Sequence, residues 1–523
     1  MSSASQLGLS APPTTDTHQP LILSKRDQSS PSATVRSRHG TPQPVTEAIN
    51  DRAEDAERHS FSSGKRRWLR EFWQRHRPTK PVGDAPSVWK SLRAILTASW
   101  LNILLVCIPI AWAFHFAKMS DTLIFVFSFL SIIPLAKLLA FATDELSLRV
   151  GQTLAGLLNA TLGNAVELIV AIIALTQCKL RIVQSSPPST DSGMAVGTGA
   201  QQVLQPCDPE IVVGSILSNL LLVLGMCFFA GGMRFSEQGF ALSATQLNSS
   251  LLTLSVIGVL LPAAFHMAVT PDNSSETDPL TNAQEGGDIL KISHGVAIVL
   301  LFIYGSYLVF QLFSHKDLYD DHHPDVQKSI KYNRHPEKNQ TNDPEAAPEE
   351  EEEETPMMSV SMTIALLVVV TVIVAVTAEF LVDSIDGLTA QGHISEEFVG
   401  LILLPIVGNA AEHVTAVSVS VKDKLTLSLG VAVGSSIQIA LFVLPFIVTL
   451  GWMMGKPLTL LFDPFESIVL FLSVLTVNYV VQDGKSNWLE GMILMCLYVI
   501  IAVTFWFYPG KHTSHFPRSL IHI

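Results

Sequence analysis

Apolar residues in this chain come in long unbroken runs rather than in the two-residue alternation of half-buried strands. Runs of about 20 residues, the length a helix needs to cross a bilayer, fall at roughly 96–117, 121–143, 148–176, 210–232, 246–269 and 291–314. After a polar interval they resume at roughly 358–383, 396–421, 425–453, 459–481 and 487–508. The pattern predicts an all-α polytopic membrane protein with about eleven transmembrane helices, in clusters of about six and about five.

Composition agrees. Of 523 residues, 48% are hydrophobic and only 15% charged, and the mean hydropathy of +0.37 is too high for a soluble domain of this length. The formal net charge of -13 misleads, because the run Glu349, Glu350, Glu351, Glu352, Glu353 and Glu354 supplies much of it while the N-terminal segment is basic. Neither end reads as a nucleic-acid domain. The first 85 or so residues are rich in Ser, Pro, Thr and Gln without apolar period and read as a disordered tail. Its end, Lys65 to Arg75, is a basic amphipathic stretch that suits either a membrane surface or an ordinary cytosolic flank. The first apolar run starts far from the N-terminus, so it reads as a retained anchor rather than a secretory signal. Three of the five cysteines, Cys107, Cys227 and Cys496, lie inside apolar runs, and Cys178 and Cys207 flank one loop where a disulfide is an option.

Orientation follows from Lys and Arg. The flank from Lys65 to Arg93 predicts a cytosolic N-terminus. Alternation then puts Arg149, Arg234, the 315–356 loop, Lys422-Asp423-Lys424 and Lys485 on the cytosolic side. The acidic 272–288 segment, with its sequon Asn273-Ser274-Ser275, falls on the other side, as does the C-terminus.

One feature conflicts with this apolar pattern. Gly408-Asn409-Ala410-Ala411-Glu412-His413 places a carboxylate inside the eighth run, and Gly163-Asn164-Ala165-Val166-Glu167 does the same in the third. An ionisable group at mid-helix opposes insertion by roughly 2.5–3.5 kcal/mol, so a matched pair points to use. Helical spacing puts Gly408, Asn409 and Glu412 on one face, and Gly163, Asn164 and Glu167 likewise. The third run climbs from the cytosol and the eighth returns to it, so the two copies are antiparallel. Each is followed by a second small polar motif, Gly214-Ser215-Ile216-Leu217-Ser218-Asn219 and Gly434-Ser435-Ser436-Ile437-Gln438. Inverted repeats with interrupted helices are the architecture of secondary transporters, with the site where the repeats meet.

Two glutamates with amide and backbone oxygens suit Ca²⁺, and Mn²⁺ is not separated from it by ligand type. Ser435, Gln438, Ser218 and Asn219 offer further oxygens, and Pro405 should free a backbone carbonyl ahead of Glu412. His413 stands alone on its helix and reads as a supporting residue rather than a ligand. Two like charges in a partly desolvated site favour taking up protons when the cation leaves, which makes cation and proton competitors. Glu379, with Asp144 and Glu145, could line an ion entrance or cap helices. The glutamate run reads as a solvated segment or as a Ca²⁺ collector beside the cytosolic opening.

At these motifs the chain resembles the vacuolar-type Ca²⁺/H⁺ exchangers of the calcium/cation antiporter superfamily, and their fungal members most closely. The resemblance covers roughly 90–510 and rests on Gly151 to Glu167, Leu404 to His413 and Val433 to Gln438. It implies that Glu167 and Glu412 bind the transported ion. It further implies ten core helices in two inverted five-helix repeats, an extra N-terminal helix, and an acidic Ca²⁺-binding helix between the halves. The division is then a tail at 1–85, the extra helix at 86–118, a first repeat at 119–314, an acidic loop at 315–357, a second repeat at 358–510 and a short tail at 511–523. The vacuolar membrane comes from the resemblance alone. No prosthetic group is implied, only Ca²⁺ as transported and regulatory ion, with H⁺ and the lipid bilayer as its other partners; a homo-oligomer stays open. The N-terminal tail and the 184–208 insertion match no motif.

A sodium-coupled exchanger, a Mn²⁺/H⁺ exchanger, a channel and a Ca²⁺-sensing scaffold remain as alternatives. An intramembrane hydrolase would need a paired Asp site, a Ser nucleophile with its base or a His-Glu-x-x-His motif, and the runs contain none. The chain reads as a transporter, not an enzyme.

Overall fold

The computed structural model describes residues 86–150, 152–177, 210–269, 282–319, 324–332, 356–390, 394–456 and 458–508. The basic stretch at 65–75, Cys178 and Cys207, the 184–208 insertion, the Asn273 sequon and the glutamate run lie outside them.

The first apolar run is not one rod. Helix α1 (Val88–Thr97) meets the 3-10 turn Trp100–Val106 and α2 (Cys107–Phe116) at a 91° corner. Ser99 is extended there and its side chain accepts the Leu101 N–H, starting the next helix. Asn102 Nδ2 donates to the Ile95 and Leu96 carbonyls at 2.8 and 3.3 Å, satisfying acceptors that the end of α1 would leave open. The crossing segment therefore begins at Trp100 rather than near residue 96.

The chain continues through α3 (Asp121–Ser147), the broken pair α4 (Gln152–Leu162) and α5 (Ala165–Gln177), then α6 (Glu210–Leu217) and α7 (Leu224–Gly232) around a π turn at Ser218–Val223. Strand β1 (Phe235–Gly239) leads to α8 (Leu242–Val269), α9 (Asn282–Val309) and β2 (Ile330–Lys331). The second part holds α10 (Val360–Asp383), a π turn at Val399–Leu403, α11 (Leu404–Gly408) and α12 (Ala410–Ser420). Then come α13 (Leu425–Gln438), a π turn at Ile439–Val443, α14 (Leu444–Met453), α15 (Pro464–Val480), β3 (Lys485–Ser486) and α16 (Trp488–Phe507).

Among the described residues, seven helices are long and apolar enough to cross a membrane, or nine if each bent pair counts as one span. The third and tenth apolar runs hold only shorter apolar helices, Ala165–Thr176 and Pro464–Val480. The mostly helical membrane-type fold stands, with a smaller count of full-length spans than the runs predict, because the polar Gly-Asn pair interrupts the third run. Pro405 and Pro445 each follow a π turn. A proline lacks the N–H that would pair one turn back, and the wider π turn absorbs the mismatch.

Two buried apolar clusters form the interior. One gathers α3, part of α5, α10 and Val399, Leu404 and Val407; the other gathers the end of α5 with α6 to α9, Leu401, Ile402 and α12 to α16. Helix α5 contributes Val166 and Val170 to the first and Ala171 and Leu175 to the second, so it lies on the seam. In the second cluster α7 and α16 meet through Gly225 and Gly491, where a Cβ on Gly491 would stand 2.2 Å from the Phe229 nitrogen. Only glycine permits that approach.

One end of the bundle is tied by a three-stranded sheet in the order β2-β1-β3, antiparallel throughout. Gln238 on β1 is buried and donates to the Ser420 carbonyl at 2.8 Å and to Asp423 at 3.2 Å. Four chain segments, near Arg234, Lys331, Asp423 and Lys485, are thereby held together. The Glu145 carboxylate, near the end of α3, accepts the N–H groups of Met357 and Met358 at 3.0–3.1 Å, and Arg149 donates to the Met358 carbonyl. That clamp fixes the entry into α10.

Candidate functional site

The two polar interruptions are built alike. Between α4 and α5 the helix breaks at Gly163-Asn164, and Glu167 falls in the first turn of α5. Between α11 and α12 it breaks at Asn409, whose φ and ψ of -88° and 2° leave the helical region, and Glu412 falls in the first turn of α12. The two halves of this second pair are bent by 60°. A helix that restarts inside the bundle aims its positive dipole end at the first-turn carboxylate. Polar sequence, rather than apolar packing, is what breaks these helices at depth.

The breaks bring the two copies together. A Cβ on Gly408 would lie 3.0 Å from Glu167 Oε1, so the first copy's carboxylate rests on the bare backbone of the second. Glu167 in turn is close enough to act electrostatically on Glu412, beside which stand Ser435 and Asn219. Asn164 Nδ2 donates to the Ser435 carbonyl at 3.4 Å, and Gly163 faces Gln438 Oε1 at 3.9 Å from its Cβ position. Ser218 Oγ lies 3.5 Å from His413 Nε2. Both Gly-Asn-Ala-x-Glu copies, both following small polar motifs and His413 thus meet in one region, on the seam between the two apolar clusters. A small cavity there is lined by Glu167, Ser215, Gly408, Ile132, Leu381 and Leu404.

Much of the polar surface in this region lacks an internal partner. Asn164 is 1% and Asn409 0% exposed, yet Asn164 Oδ1, both amide atoms of Asn409, Ser215 Oγ, Glu412 Oε2 and Gln438 Nε2 have no hydrogen-bond partner. Buried polar atoms are normally paired. Two carboxylates near the unpaired oxygens Asn164 Oδ1, Asn409 Oδ1 and Ser215 Oγ offer oxygen ligands of the kind a hard divalent cation takes. The backbone carbonyl that Pro405 displaces has a different fate: Leu401 O lies against Gly214, 2.5 Å from where its Cβ would stand. It supports helix packing rather than adding a ligand.

The remaining candidates separate by position. Glu145 is buried and engaged with Met357 and Met358, which is the helix-capping use of that side chain. Glu379 is exposed on α10 and stands outside this region. A residue that the apolar pattern conceals joins it instead: Lys137, half-buried on α3, donates to Thr415 Oγ1 at 3.2 Å, one helical turn beyond Glu412. Lysine within so apolar a run was the available signal.

Residues 120–313 and 362–507 match the sodium/calcium exchanger protein family. The chain belongs to that family. Among relatives of this exchanger, a vacuolar calcium ion transporter of Cryptococcus neoformans var. grubii is 51% identical over 500 residues, covering 84% of this chain and 78% of the relative. A vacuolar calcium ion transporter of Schizosaccharomyces pombe is 41% identical over 417 residues, covering 80% and 87%. The fold of the exchanger is similar to that of the solved Ca²⁺/H⁺ antiporter protein YfkE, with a TM-score of 0.55 and 27% identity over 78% of this chain and 99% of the other.

Proposed function

We propose that this exchanger is a secondary antiporter that moves Ca²⁺ out of the cytosol into an acidic organelle, the vacuole, in exchange for lumenal H⁺. The observation that carries the reading is the contact of Glu167 with Gly408 beside Glu412, which assembles one oxygen site from both halves of the chain. The relatives' names, vacuolar calcium ion transporter and Ca²⁺/H⁺ antiporter, support the same ion, coupling and membrane.

The chemistry is substitution. Two carboxylates in a desolvated site need a compensating positive charge, and either one Ca²⁺ or protons provide it. Asn164, Asn409 and neighbouring oxygens complete the shell around Ca²⁺ and lose little when protons replace it. If only the compensated forms reorient, each Ca²⁺ crossing one way obliges protons to cross the other way.

In this reading eleven segments cross the membrane as one extra helix and two inverted five-helix repeats, with a cytosolic N-terminus and a lumenal C-terminus. The sheet supports that threading, since the four segments it joins are those that the basic residues put on the cytosolic side. Exposed Thr415 and Ser418 on α12, and the open space facing Gly430 and Gly434 on α13, supply a polar approach to Glu412. Helix α1, bent away from the first crossing segment, lies in the cytosolic membrane surface with Val88, Trp89, Leu92 and Leu96 in lipid and Lys90 and Arg93 at the headgroups.

The test is ⁴⁵Ca²⁺ uptake into proteoliposomes driven only by an imposed pH difference. Wild type should accumulate Ca²⁺, while Glu167→Gln and Glu412→Gln should lose uptake with expression and folding intact. Uptake that follows a Na⁺ gradient and ignores pH would replace the proton reading with a sodium-coupled one.

A further inference from the structure

Lys137 is an ammonium inside a membrane span, about 15 Å of helix from the end of α3 at 1.5 Å per residue. Such a charge opposes insertion and persists where it has a partner. Its observed partner, the Thr415 hydroxyl at 3.2 Å, is uncharged and takes only one of its N–H donors. Thr415 stands three residues after Glu412 on α12, a spacing that puts two side chains on one face about 5–6 Å apart. Glu412 Oε2 is buried without a donor. An ammonium with donors to spare and a carboxylate oxygen with none therefore lie one turn apart. Of the other acids, Glu145 holds Met357 and Met358, and Glu167 lies against Gly408 on the far side of the break.

We propose that Lys137 is a tethered counter-cation: without a divalent ion its ammonium swings from Thr415 to Glu412, and an entering ion must displace it. This rests on the site described above and adds a selectivity device to it. A divalent ion gains from both carboxylates and displaces the ammonium, whereas a monovalent ion replaces one positive charge with another and gains little. Lysine reaches both positions from one Cα because its stem is long and flexible. The parked ammonium also lowers the fraction of protein ready to bind, and apparent affinity falls by that fraction.

The experiment is equilibrium ⁴⁵Ca²⁺ binding to the purified full-length protein at one pH, with Na⁺ titrated as competitor, and thermal unfolding midpoints recorded for each variant. Lys137→Gln should tighten Ca²⁺ binding roughly three- to tenfold and let Na⁺ compete, while Lys137→Arg stays within about twofold of wild type. A Lys137→Gln curve that superimposes on wild type, or lies at weaker binding, overturns the proposal. If Glu412→Gln binds Ca²⁺ as wild type does, the site itself is wrong and this inference falls with it; if Glu412→Gln abolishes binding while Lys137→Gln changes nothing, only the counter-cation is lost.

Discussion

Glu167 and Gly408, 241 positions apart in the chain, touch: Oε1 of the first lies 3.0 Å from where a Cβ of the second would stand. That contact brings the two Gly-Asn-Ala-x-Glu motifs together. It also gives the glycine a role that helix propensity does not supply, since a bare backbone lets the carboxylate approach.

Gly408→Ala should therefore act on the ion rather than on the fold. The new methyl meets the far end of a flexible side chain, so any loss of stability should stay at the low end of overpacking costs, about 1 kcal/mol. The displaced carboxylate should raise the half-saturating Ca²⁺ concentration by roughly tenfold or more, a loss of at least about 1.4 kcal/mol of binding. Uptake kinetics with a thermal melt on the same preparation check both halves.

In the proposed function, competition between protons and Ca²⁺ for Glu167 and Glu412 fixes the sign of the pH effect. Lowering pH on the Ca²⁺-loading side should raise the half-saturating Ca²⁺ concentration, and raising pH should lower it until both carboxylates are ionised. With two carboxylates involved, the logarithmic slope against pH should exceed one in the steepest range. Glu167→Gln should flatten the residual binding curve to a slope of about one or less.

Glu145 serves the fold. Its carboxylate accepts from Met357 and Met358 at 3.0–3.1 Å and is 4% exposed. Glu145→Ala leaves those donors unsatisfied and should lower stability by about 1–3 kcal/mol, seen as a lower thermal midpoint. The half-saturating Ca²⁺ concentration of the surviving protein should stay unchanged, because the side chain does not reach the site.

Helix α1 should be readable from its tryptophan. Trp89 is 76% exposed on the apolar face of a helix at 91° to the crossing segment. Brominated lipids should quench wild-type fluorescence more than that of Trp89→Phe, and Lys90→Glu with Arg93→Glu should weaken the difference in anionic vesicles. Equal quenching in all three proteins would place α1 in water.

The sequence by itself determined the class of protein and pointed to the chemistry proposed for its centre. Long apolar runs leave the backbone no choice but helices in a bilayer, and a duplicated carboxylate inside such runs singles out one region for the proposed ion site. Tertiary structure decided the rest, because each item depends on which side chains meet across the bundle. Glu145 turns inward to Met357 and Met358, Glu379 faces outward from α10, the Leu401 carbonyl packs on Gly214, and Lys137 reaches Thr415. Hydropathy along a chain reports the cost of placing each residue in lipid. The turns at Ser99, Gly163 and Asn409 are local and written in polar residues, but helix rotation sets what each residue touches, and that arises from packing between distant segments rather than from local pattern.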